Sequence, residues 1–291
     1  MTIMNDEQKG ILFTILTSIS IGFNIIVGKL LVNIVNVETM NTLWFMFASI
    51  LFVLFFILSG RKKSFKTILE RKKEIFFISI LSAVGSILWA YGIIYVGPNN
   101  LAFILQLTTV FIVVMGFLLL KERFTRLEGI GIVIAIGGAL TLAYNNSEMN
   151  LIGIVIALGV AICFSVSNLI SKVYVKRIDP LTMSGGRAIF IFLLVFGYAL
   201  VTNRFQTSIP LIAFPYAFLG ALTGAFLGFI FFFHALEKIK ISSVMTIRTM
   251  EPFLTVVFSF FILSVSPTQN QMLGGALIVI GVAILSLFRG R

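Results

Sequence analysis

Of the eleven acidic residues in this 291-residue chain, Glu251 alone falls deep inside an apolar run, and Arg248 precedes it by three residues. On a helix that spacing puts both on one face, about 4.5 Å apart along the axis. A charge in hydrocarbon costs at least about 2.5–3.5 kcal/mol, so such residues are paired or functional. Pro252 follows directly and can kink the helix, freeing a carbonyl toward a cavity. Arg187 lies eight residues into another apolar run and has no acid near it in sequence. Two fixed cations and one carboxylate would form a polar pocket suited to an anionic or zwitterionic ligand. The alternative is a structural ion pair between Arg248 and Glu251 that anchors neighbouring helices. Glu251 is also the one obvious proton carrier, although Arg248 beside it favours the ionised form.

The rest of the composition dictates what must hold these groups. Hydrophobic residues make up 59% of the chain and charged residues 11%, and the mean hydropathy is +1.09. Soluble domains are about 45–50% apolar, so a water-soluble core and a disordered chain are both excluded. The chain reads as an all-α integral membrane protein whose immediate surroundings are the lipid bilayer. Runs long enough to cross about 30 Å of hydrocarbon as helices fall at residues 10–32, 38–58, 75–95, 99–120, 126–144, 151–175, 180–202, 211–234, 242–264 and 268–288. Unalternating stretches such as 130–136 argue against a β-barrel. The longest polar break, 59–74, is too short for a soluble domain, so any binding group must come from the helices or their turns.

Charge in the short loops sets the orientation. With the N-terminus in the cytoplasm, eighteen of the 22 Lys and Arg residues collect at the inner side, seven of them between Arg61 and Lys73. Arg204 stands alone in an outer loop, and Lys29, Arg187 and Arg248 fall within runs. Both termini are therefore expected inside a cytoplasmic membrane. Met1 to Lys9 carries Asp6 and Glu7, the wrong charge for a signal peptide.

The halves resemble each other. A shift of 143 residues sets Gly10 and Ile11 on Gly153 and Ile154, Lys29 on Lys172, Thr39 and Met40 on Thr182 and Met183, and Phe47 on Phe190. Further on the shift is 142, and Ser82 and Ser86 meet Gly224 and Gly228. This predicts two five-helix repeats, 1–145 and 146–291, forming one transmembrane unit. An odd helix number makes them inverted, a common plan for secondary transporters with a midplane site. The same register makes Trp44 the counterpart of Arg187, Gln106 of Arg248 and Thr109 of Glu251. A cavity between the halves would then be charged toward the inside and lined by amide and aromatic groups toward the outside. Asn24 and Asn168 are buried amides near the aligned register, able to face the cavity or bond a neighbouring helix. Trp89, Tyr91 and Tyr95 could add to the outer wall, although Trp and Tyr also favour membrane interfaces. Lys29 and Lys172 are expected to snorkel to headgroups, and His234 to sit at the inner interface.

Other chemistries find little support. One cysteine, Cys163, rules out an internal disulfide and a cysteine-based zinc site, and one histidine argues against haem or copper. The segment from Thr182 to Gly185 with His234 is the nearest approach to a hydrolase, and it lacks the first glycine of a G-x-S-x-G elbow. No phosphate-binding glycine loop is present, and the basic loops fit membrane topology better than nucleic acid. No cofactor and no enzyme activity are expected.

Lys29 at the end of the first run, Lys121-Glu122-Arg123 before Leu127, Glu128 and Gly129, Arg187, and Met250-Glu251-Pro252 followed by Gln271 and Gly274 occur in a fixed order. In these features the chain resembles the EamA-type transporters of the drug/metabolite transporter superfamily from Gly10 to Phe288. The resemblance implies two inverted five-helix halves, alternating access, and export of amino acids or related metabolites. The chain departs from that pattern at 44–46, where an arginine is frequent, at 109–110, where a proline is frequent, and at 264–266, where a Glu-Arg pair is common. The expected cargo is a small zwitterionic metabolite, an amino acid foremost. It would be bound by Arg187, Arg248, Glu251, Gln106, Asn24, Asn168, Trp44 and Trp89. Efflux of cationic or lipophilic drugs is the competing reading, less suited to two pocket arginines.

Overall fold

The computed structural model describes residues 5–120, 126–143 and 150–288, and the described residues are helical without a strand. Helices α1 (Asp6–Val32) and α2 (Val37–Leu58) form an antiparallel pair, each started by an asparagine cap. The Asn5 side chain accepts from the Gln8 amide at 2.8 Å and the Asn36 side chain from the Thr39 amide at 2.9 Å. These bonds satisfy amide groups that the first turn leaves free. The polar break between the second and third runs folds as a short amphipathic helix, α3 (Lys62–Glu70), with Ser64 and Ile68 buried and the lysines outward.

Helix α4 (Lys72–Ile104) is two helices meeting at a corner, because Gly97 has φ 76° and Pro98 follows. The left-handed backbone there suits glycine, and proline cannot continue the hydrogen-bond ladder. The expected boundary between the third and fourth runs is this corner. A second interruption at 105–106 precedes α5 (Leu107–Leu120). Then come α6 (Arg126–Ala143), α7 (Leu151–Tyr174) and α8 (Pro180–Val201), the last capped by Asp179. The expected eighth run is α9 (Ala213–Gly220), a π-helical segment (Ala221–Gly228) and α10 (Phe229–Lys238). The expected ninth run is α11 (Ile241–Arg248), broken at Thr249 and Met250, then α12 (Glu251–Phe258) and a π-helical end (Ser259–Leu263). Helix α13 (Gln269–Phe288) closes the chain.

Seven helical stretches among the described residues are long and apolar enough to cross a membrane, and Gly129–Leu142 and Gln269–Ile284 are shorter apolar helices. Together with the exposed Leu, Ile and Phe side chains over the bundle's outside, they make this a multi-pass membrane protein. One buried apolar cluster joins α1, α2, α4, α8 and α10 through residues such as Leu31, Phe52, Phe56, Met183 and Phe233. A second joins α4, α5, α6 and α13.

Glycine contacts fix two of these interfaces. A Cβ on Gly138 of α6 would lie 2.6 Å from the Ile278 nitrogen of α13, and one on Gly274 would lie 2.6 Å from the Leu142 nitrogen. The two backbones touch, as small residues allow in membrane bundles. The glycines of the π-helical stretch behave differently from the backbone approach that their spacing predicts. Gly220 and Gly224 receive side chains, Trp44 and Asn24. The Lys121-Glu122-Arg123 motif, the expected repeat boundary at 145–146, and Arg289 and Arg291 lie outside the described residues.

Candidate binding cavity

The site is built where helices stop. The interruption at 105–106 exposes Gln106, and that at Thr249 and Met250 frees the carbonyl of Arg248. The Gln106 amide nitrogen donates to that carbonyl at 3.3 Å, so one break satisfies the other. Helix α12 restarts with Glu251 and Pro252 in its first turn, where proline lacks only an amide that would be unpaired. Between the breaks lies a cavity of about 160 Å³, comparable to the roughly 150 Å³ hole that accepts a benzene ring in an engineered core.

Every residue expected to bind ligand lines it: Asn24 from α1, Trp44 from α2, Trp89 from α4, Gln106, Asn168 from α7, Arg187 from α8, and Arg248 and Glu251. Arg248 grips Glu251 with two hydrogen bonds, Nε to Oε2 at 2.9 Å and Nη2 to Oε1 at 3.1 Å. The Arg248 guanidinium also lies 5.5 Å from the Phe232 ring centre. Arg187 is 5% exposed. Its guanidinium carbon lies 4.5 Å from the ring centre of Phe229 and 5.6 Å from that of Phe233, and its Nε has no hydrogen-bond partner. No described carboxylate pairs with it.

The neutral groups divide between framework and cavity. Asn24 is tied to the π-helical stretch, its amide nitrogen donating to the Gly220 carbonyl at 2.8 Å and contacting Thr223 Oγ1 at 3.2 Å. Asn168 has no side-chain hydrogen bond among the described residues. Trp44 and Trp89 meet edge to face with centres 5.9 Å apart. Thr17, Asn41, Ser86, Thr108 and Thr109 also line the cavity, and of these Thr109 and Ser86 stand out in the sequence, as the counterparts of Glu251 and Gly228. Among the described residues no group of three His, Cys, Asp or Glu could hold a metal.

Further contacts between the two halves of the chain lie outside the cavity lining. Arg204, just past α8, donates to Glu38 Oε1 at 3.0 Å and to the Tyr91 hydroxyl at 3.2 Å, and Tyr91 donates to Glu38 at 3.0 Å. Asn36 adds a bond to the Arg204 carbonyl at 2.6 Å. Bonded to Glu38, the Arg204 guanidinium is pushed above its ordinary pKa. Arg61, just past α2, pairs with Asp179 at 3.1 Å, and Lys238 with Asp6 at 2.8 Å. Tyr91 is thus engaged in this network and not in the cavity wall, and Tyr95 packs beside it with ring centres 6.4 Å apart. Glu38 escaped the sequence reading because it follows a helix cap, where an acid is ordinary, yet its side chain is 2% exposed.

Lys172 differs from its expected role. Its ammonium donates to the carbonyls of Leu236 and Ile239, capping the end of α10 in place of reaching headgroups. His234 Nδ1 lies 2.7 Å from the Ile230 carbonyl, and the ring packs on Phe13.

The EamA-like transporter family model matches the chain twice, over residues 8–144 and 151–287. The chain is 23% identical to the "Uncharacterized transporter YetK" of Bacillus subtilis (strain 168), over 96% of this chain and 87% of that protein. It is 33% identical over 70 residues to the "Uncharacterized transporter in sor 3'region" of Acidianus ambivalens, a match spanning 24% of this chain and 28% of that protein's length. One solved crystal structure shares the fold, with a TM-score of 0.72 over 97% of this chain and 99% of the other at 15% identity.

Proposed function

This chain belongs to the EamA-like transporter family, and from that premise we propose that it exports small carboxylate-bearing metabolites, amino acids foremost, across the cytoplasmic membrane by alternating access. It is a membrane transporter and not an enzyme. In our reading ten spans form two inverted five-helix halves, 1–145 and 146–291, with both termini cytoplasmic.

The observation that carries the proposal is the convergence of Arg187, Arg248, Glu251, Gln106, Asn24, Asn168, Trp44 and Trp89 on one cavity between two interrupted helices. Discontinuous helices at the interface of repeats are where transporters of this architecture hold cargo. Arg187 would take the carboxylate, the tryptophans the body of the molecule, and Asn168 an amino or hydroxyl group. The inverted arrangement is supported by pairs of residues that the 143-residue shift relates. Arg61 becomes Arg204, and Asn36 becomes Asp179. In each case the arginine beyond the second helix of one half reaches the start of the second helix of the other. The corner at Gly97, at the later shift of 142, maps onto Ile239, the extended residue that ends α10 just before α11.

The test is efflux from proteoliposomes preloaded with pooled labelled amino acids, with and without a pH gradient. Selective, protein-dependent loss of a few species is expected, with no requirement for the pH gradient because both Glu251 oxygens are engaged by Arg248. Retention of every species by folded, reconstituted protein would overturn the proposal.

A further inference from the structure

Three charged side chains line the cavity among the described residues: Arg187, Arg248 and Glu251. Two of them cancel, since Arg248 and Glu251 satisfy one another at both oxygens. Arg187 is left over. It is 5% exposed, its Nε is unpartnered, and arginine does not shed its proton in proteins. The faces of Phe229 and Phe233 make that charge tolerable without cancelling it. The cavity walls therefore carry one net positive charge in surroundings where an unneutralised ion is costly.

A zwitterion leaves that balance unchanged. Its carboxylate would meet Arg187, but its ammonium would enter a cavity whose one carboxylate already has its partner. A monoanion brings the loaded cavity to neutrality. The remaining walls are largely aromatic, with Trp44, Trp89, Phe164 and Phe232 facing the same space, so they suit an apolar body. We propose that the preferred cargo is a small organic monoanion, one carboxylate without a compensating ammonium, carried on an apolar or aromatic body, and that its export is electrogenic. This rests on the reading of the chain as an exporter and replaces its first-ranked cargo, the zwitterionic amino acids, with monoanions.

The charge count also supplies an energy source. One negative charge leaves per cycle, down an inside-negative potential, without a titrating group or a coupling ion. A monoanion held by 100 mV reaches equilibrium at roughly a fifty-fold outward gradient.

The experiment uses the full-length protein in proteoliposomes, with potassium gradients and valinomycin setting the interior negative or positive. Labelled lactate, phenyllactate and phenylpyruvate serve as monoanions, and alanine and phenylalanine as net-neutral zwitterions. Monoanion efflux should exceed zwitterion efflux and rise severalfold when the interior is made negative. Arg187→Gln should abolish it, whereas Arg187→Lys, which keeps the charge, should retain the dependence on potential at weaker affinity. Thermal melting of each purified variant checks that it is folded. Potential-independent efflux of alanine or phenylalanine, faster than that of any anion, would overturn the monoanion proposal and leave the export reading standing. So would anion efflux that survives Arg187→Gln. Efflux of none of the five would sink both.

Discussion

Arg248 and Glu251 are neighbours on one face, yet the turn between them is the place where their helix breaks. Their two-point pairing therefore bridges the interruption and holds α12 against α11. Removing one partner of a buried pair leaves the other uncompensated, at about 3–5 kcal/mol, whereas replacing both by apolar groups is often neutral. Glu251→Gln should accordingly lower the unfolding temperature in detergent, and Glu251→Gln combined with Arg248→Met should restore most of the loss. An unchanged unfolding temperature for Glu251→Gln would show that the pair has no structural share, and equal destabilisation by the single and double variants would show that an uncompensated Arg248 is not the source of the loss. These residues were legible in the sequence because an ionisable group inside an apolar run is costly and stands out. Glu38 and Arg204 were not, since an acid beside a cap and an arginine in a loop look ordinary until the fold brings them within 3.0 Å.

Among the elements, α2 and α8 have the same job at opposite ends of the bundle. The residue before each is a cap, Asn36 or Asp179, and the arginine beyond each, Arg61 or Arg204, reaches the cap region of the other. These bonds join the halves, and we expect each set to act as a latch on access to the cavity. Arg204→Gln should raise labelling of a cysteine placed at Thr17 by a membrane-impermeant maleimide added from outside the cell, in a Cys163→Ser background. Arg61→Gln should raise it from the inside. A severalfold change of opposite sense is expected, and identical responses from both variants would end the latch interpretation. The pattern of apolar runs foretold where helices lie but not how they end. The corner at Gly97 falls at the boundary between two apolar runs, whereas the break at 105–106 sits inside one run, where hydropathy gives no mark. The π-helical segment at Ala221–Gly228 has no composition of its own. Asn24 packs on Gly224 within it and Trp44 on Gly220 just before it, contacts that exist only in the tertiary fold.

At the scale of the molecule, the seam between α6 and α13 stands apart from the cavity, since neither helix contributes a described lining residue. Its closeness depends on particular glycines. A methyl on Gly138 would meet backbone atoms of α13 at 2.6 and 2.7 Å, which cannot give way, while one on Gly137 would meet nothing within 4 Å. Gly138→Ala should destabilise the protein by about 1–3 kcal/mol through overpacking. Gly137→Ala should be neutral or gain up to about 1 kcal/mol from helix propensity. Comparable melting of the two variants would refute that packing.

The same seam has a consequence for how the chain is held as one object. Helix α6 closes one stretch matched by the family and α13 the other, and their backbones interlock without help from the peptide bonds that join the stretches in series. Covalent continuity between them is then redundant with a noncovalent weld. A gene cut between codons 146 and 147 should still yield two polypeptides that insert, find one another and copurify, whereas the same cut with Gly274→Leu should weaken that association, leaving it to the contacts of α1, α2 and α4 with the other stretch.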